Sequence, residues 1–161
     1  MRFDPNQDGL SHINIYSKGK TELGRQLTNF SHFPIQTKDG KFNSVEGWWY
    51  WQIAKQNGIL QKTGQLEKLR TCIGMEAKNF GRNIGIPDWP TTNKMAEFQT
   101  MFQEVAQAKI DQHVTLKQNL IQSSLPLTHY YVWGTPIKIH SPKEAEWITK
   151  IWEDIRKSLK A

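Results

Sequence analysis

Apolar residues recur at helical spacing in several stretches of the chain. Met95, Phe98, Phe102, Val105 and Ala106 fall on one face of a helix that starts at a Thr92 or Asn93 cap and runs to about Lys109. Val114–Ser123 repeats the pattern with Leu116, Leu120 and Ile121, and Pro126 stops it. The last helix opens at Pro142, a favoured first-turn residue, and turns Trp147, Ile148, Ile151, Trp152 and Ile155 inward. Upstream, Ser44 is a good N-cap for a helix over Val45–Lys55, with Glu46 in its first turn. Leu60–Thr71 predicts a short helix with Leu66 and Leu69 inward, and Gly74–Arg82 another that carries Ala77, Phe80 and Gly81.

Strand signals are short. His12–Tyr16 alternates polar and apolar residues, and Thr128–Trp133 is rich in β-formers, with Ile137–Ile139 continuing it after a turn at Gly134. Asp39-Gly40 between two short apolar stretches predicts a hairpin. Ser17–Gly24 reads as a polar turn region, and residues 1–10 as a flexible arm. The expectation is an α+β fold: one compact, helix-rich domain over residues 1–161 with a small sheet.

Composition narrows the function. The chain has 161 residues, 37% of them hydrophobic and 22% charged, which excludes a mainly disordered, collagenous or coiled-coil protein. The lone Cys72 rules out an internal disulfide framework and a cysteine-based zinc site, so a cytoplasmic location is expected (a host cytoplasm if the gene is a phage's). The opening MRFDPNQDGL lacks the apolar core of a signal peptide, and no apolar run is long enough to span a membrane, so no membrane partner is expected. His12, His32, His113, His129 and His140 lack the i,i+3 or i,i+4 spacing of a helical metal site. Glycine-rich dinucleotide and phosphate loops and the GxSxG nucleophile elbow are also missing, so neither metal nor cofactor is expected.

A net charge of +6 suits phosphate-bearing ligands or nucleic acid. Seven tryptophans, three of them within Trp48-Trp49-Tyr50-Trp51, supply flat faces for bases and sugars. The polar residues embedded among these aromatics are Asn29, Ser31, Glu46, Lys78 and Arg82, with Trp89 and Trp133. A glutamate beside aromatics can serve as general acid or base, or stabilise positive charge at a sugar carbon. The dipole at the helix start favours ionised Glu46, whereas burial among the indoles works against it. Arg82 has the fork that binds phosphate through two hydrogen bonds.

Five short motifs in order resemble the NADAR (NAD and ADP-ribose) family. They are Leu27-Thr28-Asn29-Phe30-Ser31, Phe42-Asn43-Ser44-Val45-Glu46, Glu76-Ala77-Lys78-Asn79-Phe80-Gly81-Arg82 with Trp89 downstream, Tyr131-Val132-Trp133-Gly134, and Trp152-Glu153-Asp154-Ile155-Arg156. They span Ile13 to Leu159, and within the family the chain is most similar to short bacteriophage-type members. The resemblance implies a compact α+β domain that hydrolyses N-glycosidic bonds of ribose derivatives. Substrates described for the family include phosphoribosylated amines of riboflavin synthesis and ADP-ribose on guanine in DNA. It implies Glu46 as the catalytic glutamate, Asn29 and Phe30 as the Asn-Phe motif, and Trp89 and Trp133 as pocket aromatics; Ser31, Trp49 and Arg82 are further substrate-binding candidates from the residues themselves. A Schiff-base lysine proposed for members that remove ADP-ribose corresponds to Lys78, with Lys55 as the rival. The chain departs from the pattern at Tyr130 and at Thr135-Pro136, which leaves the substrate open.

The expected function is therefore a hydrolase of the glycosidase type, acting on the C1–N bond of a ribose-phosphate or ADP-ribose derivative, with ADP-ribosylated DNA as one candidate. Three other classes stay open. One is a catalytically silent binder of ADP-ribose, NAD or a nucleotide; another is a DNA-binding protein with steeply salt-dependent affinity; the third is a structural protein with a buried aromatic core and no ligand.

Overall fold

Side-chain caps decide where the helices begin. The computed structural model describes residues 3–59 and 63–161. In chain order these form β1 (Ile13–Asn14), α1 (Glu22–Gln26), β2 (Ile35–Thr37), β3 (Gly40–Phe42), α2 (Val45–Gln56), α3 (Thr63–Leu66), α4 (Gly74–Asn83), α5 (Met95–Gln112), α6 (Val114–Gln122), β4 (Leu127–Thr128), β5 (Tyr131–Trp133), β6 (Lys138–His140) and α7 (Glu146–Lys160). The fold is helix-rich α+β, as expected. The one small sheet expected is replaced by three separate two-stranded pairs. The chain divides into two compact units, Asn29–His113 and Met1–Thr28 with Val114–Ala161.

The unit Asn29–His113 is organised around α2. Ser44 is extended, and its Oγ accepts the Gly47 N–H at 3.1 Å while donating to the Cys72 carbonyl at 2.8 Å. That one hydroxyl starts the helix and ties it to the segment before α4. Every residue from Val45 to Ala54 is buried, so α2 is apolar nearly all round and forms the core of the unit. Two glycines admit its neighbours. A Cβ on Gly47 would sit 2.2 Å from the Leu69 carbonyl oxygen, and one on Gly81 would sit 2.5 Å from the Tyr50 ring. The Phe98, Phe102, Val105 and Ala106 stripe of α5 is buried as predicted, and Trp48 and Trp49 pack against its two phenylalanines. β2 and β3 form the predicted hairpin, Ile35 opposite Phe42, with Gly40 at φ 106°. The helix read over Leu60–Thr71 falls partly on residues 60–62, outside those described. Beyond them α3 leads into a 3-10 turn, and Leu66 and Leu69 are buried.

In the other unit, β1 pairs with β4 in parallel and β5 with β6 antiparallel. The Thr128–Trp133 segment is therefore two strands. The break has a clear cause: the Asn14 side chain donates to the Tyr130 carbonyl at 3.0 Å and accepts its N–H at 2.9 Å, replacing the next backbone pairing. The continuation is Lys138–His140, while Ile137 is 60% exposed before it. α1 arises inside the stretch read as turn, because Thr21 Oγ1 accepts the Gly24 N–H and caps it. α7 starts at Glu146; Pro142 precedes a 3-10 turn instead of opening the helix. Ile151, Trp152 and Ile155 are buried as predicted, with Trp147 and Ile148 half-buried.

Residues 3–10, read as an arm, are mostly exposed but are held at two points. Asp8 accepts the Asn14 and Lys20 N–H groups at 2.9 and 2.8 Å, and Phe3 stacks on Tyr130. Among the described residues, no helix is long and apolar enough to cross a membrane.

Candidate functional site

Glu46 occupies the first turn of α2, and its N–H donates to the Asn29 carbonyl at 2.8 Å. Its side chain is buried. Burial lifts its carboxyl from the ordinary value of 4.5 to about 7, and the nearby charge of Asp88 lifts it further. The charges of Lys78 and Arg82 pull it down. Between the two influences weighed from the sequence, burial outweighs the helix dipole.

Asp88 is the hub beside Glu46, and it was not singled out by the sequence. Its carboxylate accepts the Tyr50 hydroxyl at 2.6 Å, Arg82 Nε at 2.9 Å and Arg82 Nη2 at 2.5 Å. Its backbone carbonyl accepts the Trp49 indole N–H at 2.8 Å. The Arg82 bonds, aided by the Tyr50 hydroxyl, hold the Asp88 carboxyl down at about 2 despite partial burial. The Tyr50 hydroxyl is pushed far up by burial and by its bond to Asp88, so it stays a proton donor. Two carboxyls near each other thus differ by about five units, one always ionised and one near neutrality. Such separation is how a site assigns an acid/base role to one carboxyl and a fixed charge to the other. Arg82, expected as a phosphate fork, gives its Nε and Nη2 to Asp88, because the Ile84–Trp89 turn folds back over α4. A signal for Asp88 was present as a single acid in Pro87-Asp88-Trp89-Pro90, six residues after Arg82.

Trp89 is half-buried and meets Trp49 edge to face, ring centroids 5.3 Å apart. Lys78, half-buried on α4, lies close enough to Glu46 and Asp88 for its charge to act on both. Lys55 sits nine residues after Glu46, half a turn round α2, where it pairs with Asp39 at 3.0 Å and lies over the Trp51 ring. The two rival lysines are thus on different faces. Asn29 and Phe30 contribute through their backbones: the Asn29 carbonyl receives Glu46 N–H and the Phe30 carbonyl receives Gly74 N–H at 3.1 Å.

Ser31 leads to a third lysine. Lys109 on α5 is 1% exposed, its ammonium donates to Ser31 Oγ at 2.9 Å, and it lies 5.0 Å from the centre of the Phe33 ring. Burial drops its amine from 10.5 to about 7. The signal was in the α5 stripe: one step beyond Phe98, Phe102 and Val105, the next inward position is 109. Trp133 stands on β5 in the other unit and is 50% exposed.

No family model matches the chain, and no curated protein matches it significantly. Among solved structures, the NMR structure of the E. coli protein YbiA matches with a TM-score of 0.62 at 18% sequence identity, covering 98% of this chain and 93% of that one. The chain therefore has the fold of YbiA.

Proposed function

We propose that the protein is a hydrolase that cleaves the C1–N bond of a ribose-phosphate or ADP-ribose derivative, with Glu46 as acid/base. The observation that carries this reading is the buried Glu46 carboxyl near pKa 7, set beside an Asp88 held ionised by Arg82 and Tyr50. Cleavage builds positive charge at C1 and negative charge on the leaving nitrogen. A carboxyl that titrates near neutrality can protonate that nitrogen and, once ionised, activate a water. Asp88 supplies a constant negative charge nearby, which favours a cationic sugar in the transition state. Trp49 and Trp89 offer indole faces to a ribose or base.

A lysine that attacks the opened C1 aldehyde must be neutral. Lys78 lies near the two carboxylates, and burial brings the Lys109 amine down to about 7. The reaction is tested by mass spectrometry of products after incubation with NAD, ADP-ribose, phosphoribosylamines and DNA carrying ADP-ribosylated guanine. Release of a free base or amine from one of them is expected. Borohydride added during turnover traps any imine, and peptide mapping then names Lys78, Lys109 or Lys55. Binding without product across the whole set would overturn the hydrolase reading in favour of a silent ADP-ribose binder.

A further inference from the structure

Three consecutive residues ahead of β2 reach three different helices. The Asn29 carbonyl accepts the Glu46 N–H of α2 at 2.8 Å, the Phe30 carbonyl accepts the Gly74 N–H of α4 at 3.1 Å, and the Ser31 hydroxyl accepts the Lys109 ammonium of α5 at 2.9 Å. The first two bonds fall where each helix needs them, because first-turn N–H groups have no partner within their own helix. In α2 the Ser44 hydroxyl serves Gly47, and Asn29 serves Glu46. α4 has no side-chain cap, and the Phe30 carbonyl takes the N–H of its first residue. Adjacent carbonyls thus fix the starts of two helices. One carries Glu46 and the other carries Lys78 and Arg82, about one and two turns further along.

Those carbonyls are only as fixed as the chain that bears them, and the segment lies between α1 and β2 in no helix or strand of its own. α5 supplies the anchor. Besides its bond to Ser31, Lys109 lies 5.0 Å from the centre of the Phe33 ring, and His113 Nε2 donates to the Pro34 carbonyl at 2.7 Å. An ammonium at an inward position of a helix is costly to bury, and an apolar side chain would fill that position without the cost. The bond to Ser31 is something no apolar residue there can supply. We propose that Ser31 and Lys109 are positioning residues: through the Asn29–Phe30–Ser31 segment they hold Glu46 in place relative to Lys78 and Arg82. The inference rests on the reading of Glu46 as the acid/base group. Lys109 then forms no imine with substrate, since at 1% exposure its amine stays inside the protein.

The test reads geometry instead of turnover, on the full chain. In Ser31→Ala, a ¹³C NMR titration of the Glu46 carboxyl should find its midpoint about one unit below that of the wild type, because loosening the start of α2 lets water reach a group that burial raises most. Amide exchange at Glu46 and Gly74 should be about tenfold faster, the worth of roughly one hydrogen bond, while the mid-helix amides of α2 and α5 keep their rates. Lys109→Met should give the same pattern. Ser31 is partly exposed, so its truncation leaves the core in place and the test stands whether or not Lys109→Met folds. An unchanged Glu46 midpoint with unchanged exchange at Glu46 and Gly74 in Ser31→Ala would overturn the proposal. So would a uniform rise in exchange over the whole unit, or a borohydride-trapped imine mapped to Lys109. None of these readouts except the imine needs turnover, so the positioning role and the hydrolase reading, which Glu46→Gln tests, can fail separately.

Discussion

Glu46 and Lys109 lie in the same unit, both almost wholly enclosed, and both have been moved to a pKa of about 7 from opposite ends of the scale. Burial is the first cause in each case, since removal from water penalises whichever form carries charge. The surroundings differ. Glu46 is set among Lys78, Arg82 and Asp88, whose charges act on it in opposing directions. For Lys109 the shift comes from burial, and the amine is anchored on Ser31 and the Phe33 face. Glu46 is thus a tuned group, whose proton depends on the state of its neighbours. Lys109 is a desolvated one, whose proton depends on how completely it stays enclosed.

The largest test of this contrast is Glu46→Gln. If Glu46 is the acid/base group, turnover should fall roughly 100-fold or more with the circular dichroism unchanged. The same variant reads the linkage. Folded Glu46 keeps its proton up to about 7, whereas the unfolded chain releases it near 4.5. Wild-type stability should therefore fall as pH rises from 4.5 to 7 and then level off. Denaturant melts of Glu46→Gln should lack that fall, leaving the variant more stable at pH 8 by on the order of 2 kcal/mol.

Lys109 gives the opposite slope. Its folded pKa lies below its unfolded one, so stability should rise between pH 7 and 10.5 as the unfolded chain also loses its proton. Lys109→Met, which keeps much of the volume, should remove most of that rise, measured by the same melts. Gly81→Ala presses a methyl against the Tyr50 ring and should cost about 1–3 kcal/mol in thermal or denaturant unfolding, with the Tyr50–Asp88 bond disturbed as the ring gives way. Tyr50→Phe removes only the hydroxyl at Asp88, for about 1 kcal/mol, and an NMR titration should find the Asp88 carboxyl moved upward. Lys55→Ala should be the smallest change. Its partly exposed pair with Asp39 is worth less than about 1 kcal/mol, and the borohydride trap should be undiminished without it.

How legible each element was depended on the range of the interactions that define it. α2, α4, α5 and α6 were readable because caps and apolar spacing are local, as Ser44 and the Phe98–Phe102–Val105 stripe show. The same is true of the Asp39-Gly40 hairpin. The split of Thr128–Trp133 was not readable, since it is caused by Asn14, more than a hundred residues away in the chain. In the site, the short motifs marked Glu46, Lys78, Arg82 and Trp89. Asp88 and Tyr50 stayed hidden because their significance lies in one another and in Arg82, and the turn after α4 is what brings the three together. Lys109 lay in plain view on a helical stripe, but a lysine at an inward position reads as a surface residue until its burial is known.

By itself the sequence determined where helices start and stop, which faces turn inward, and that one glutamate sits in a run of tryptophans, because these follow from the chemistry of neighbours within a turn or two. The tertiary structure alone decided the protonation of that glutamate, the pairing of Arg82 with Asp88 in place of an open phosphate fork, and the enclosure of Lys109. Desolvation and charge pairing depend on which distant segments close over a group, and a linear order of residues does not specify that closure.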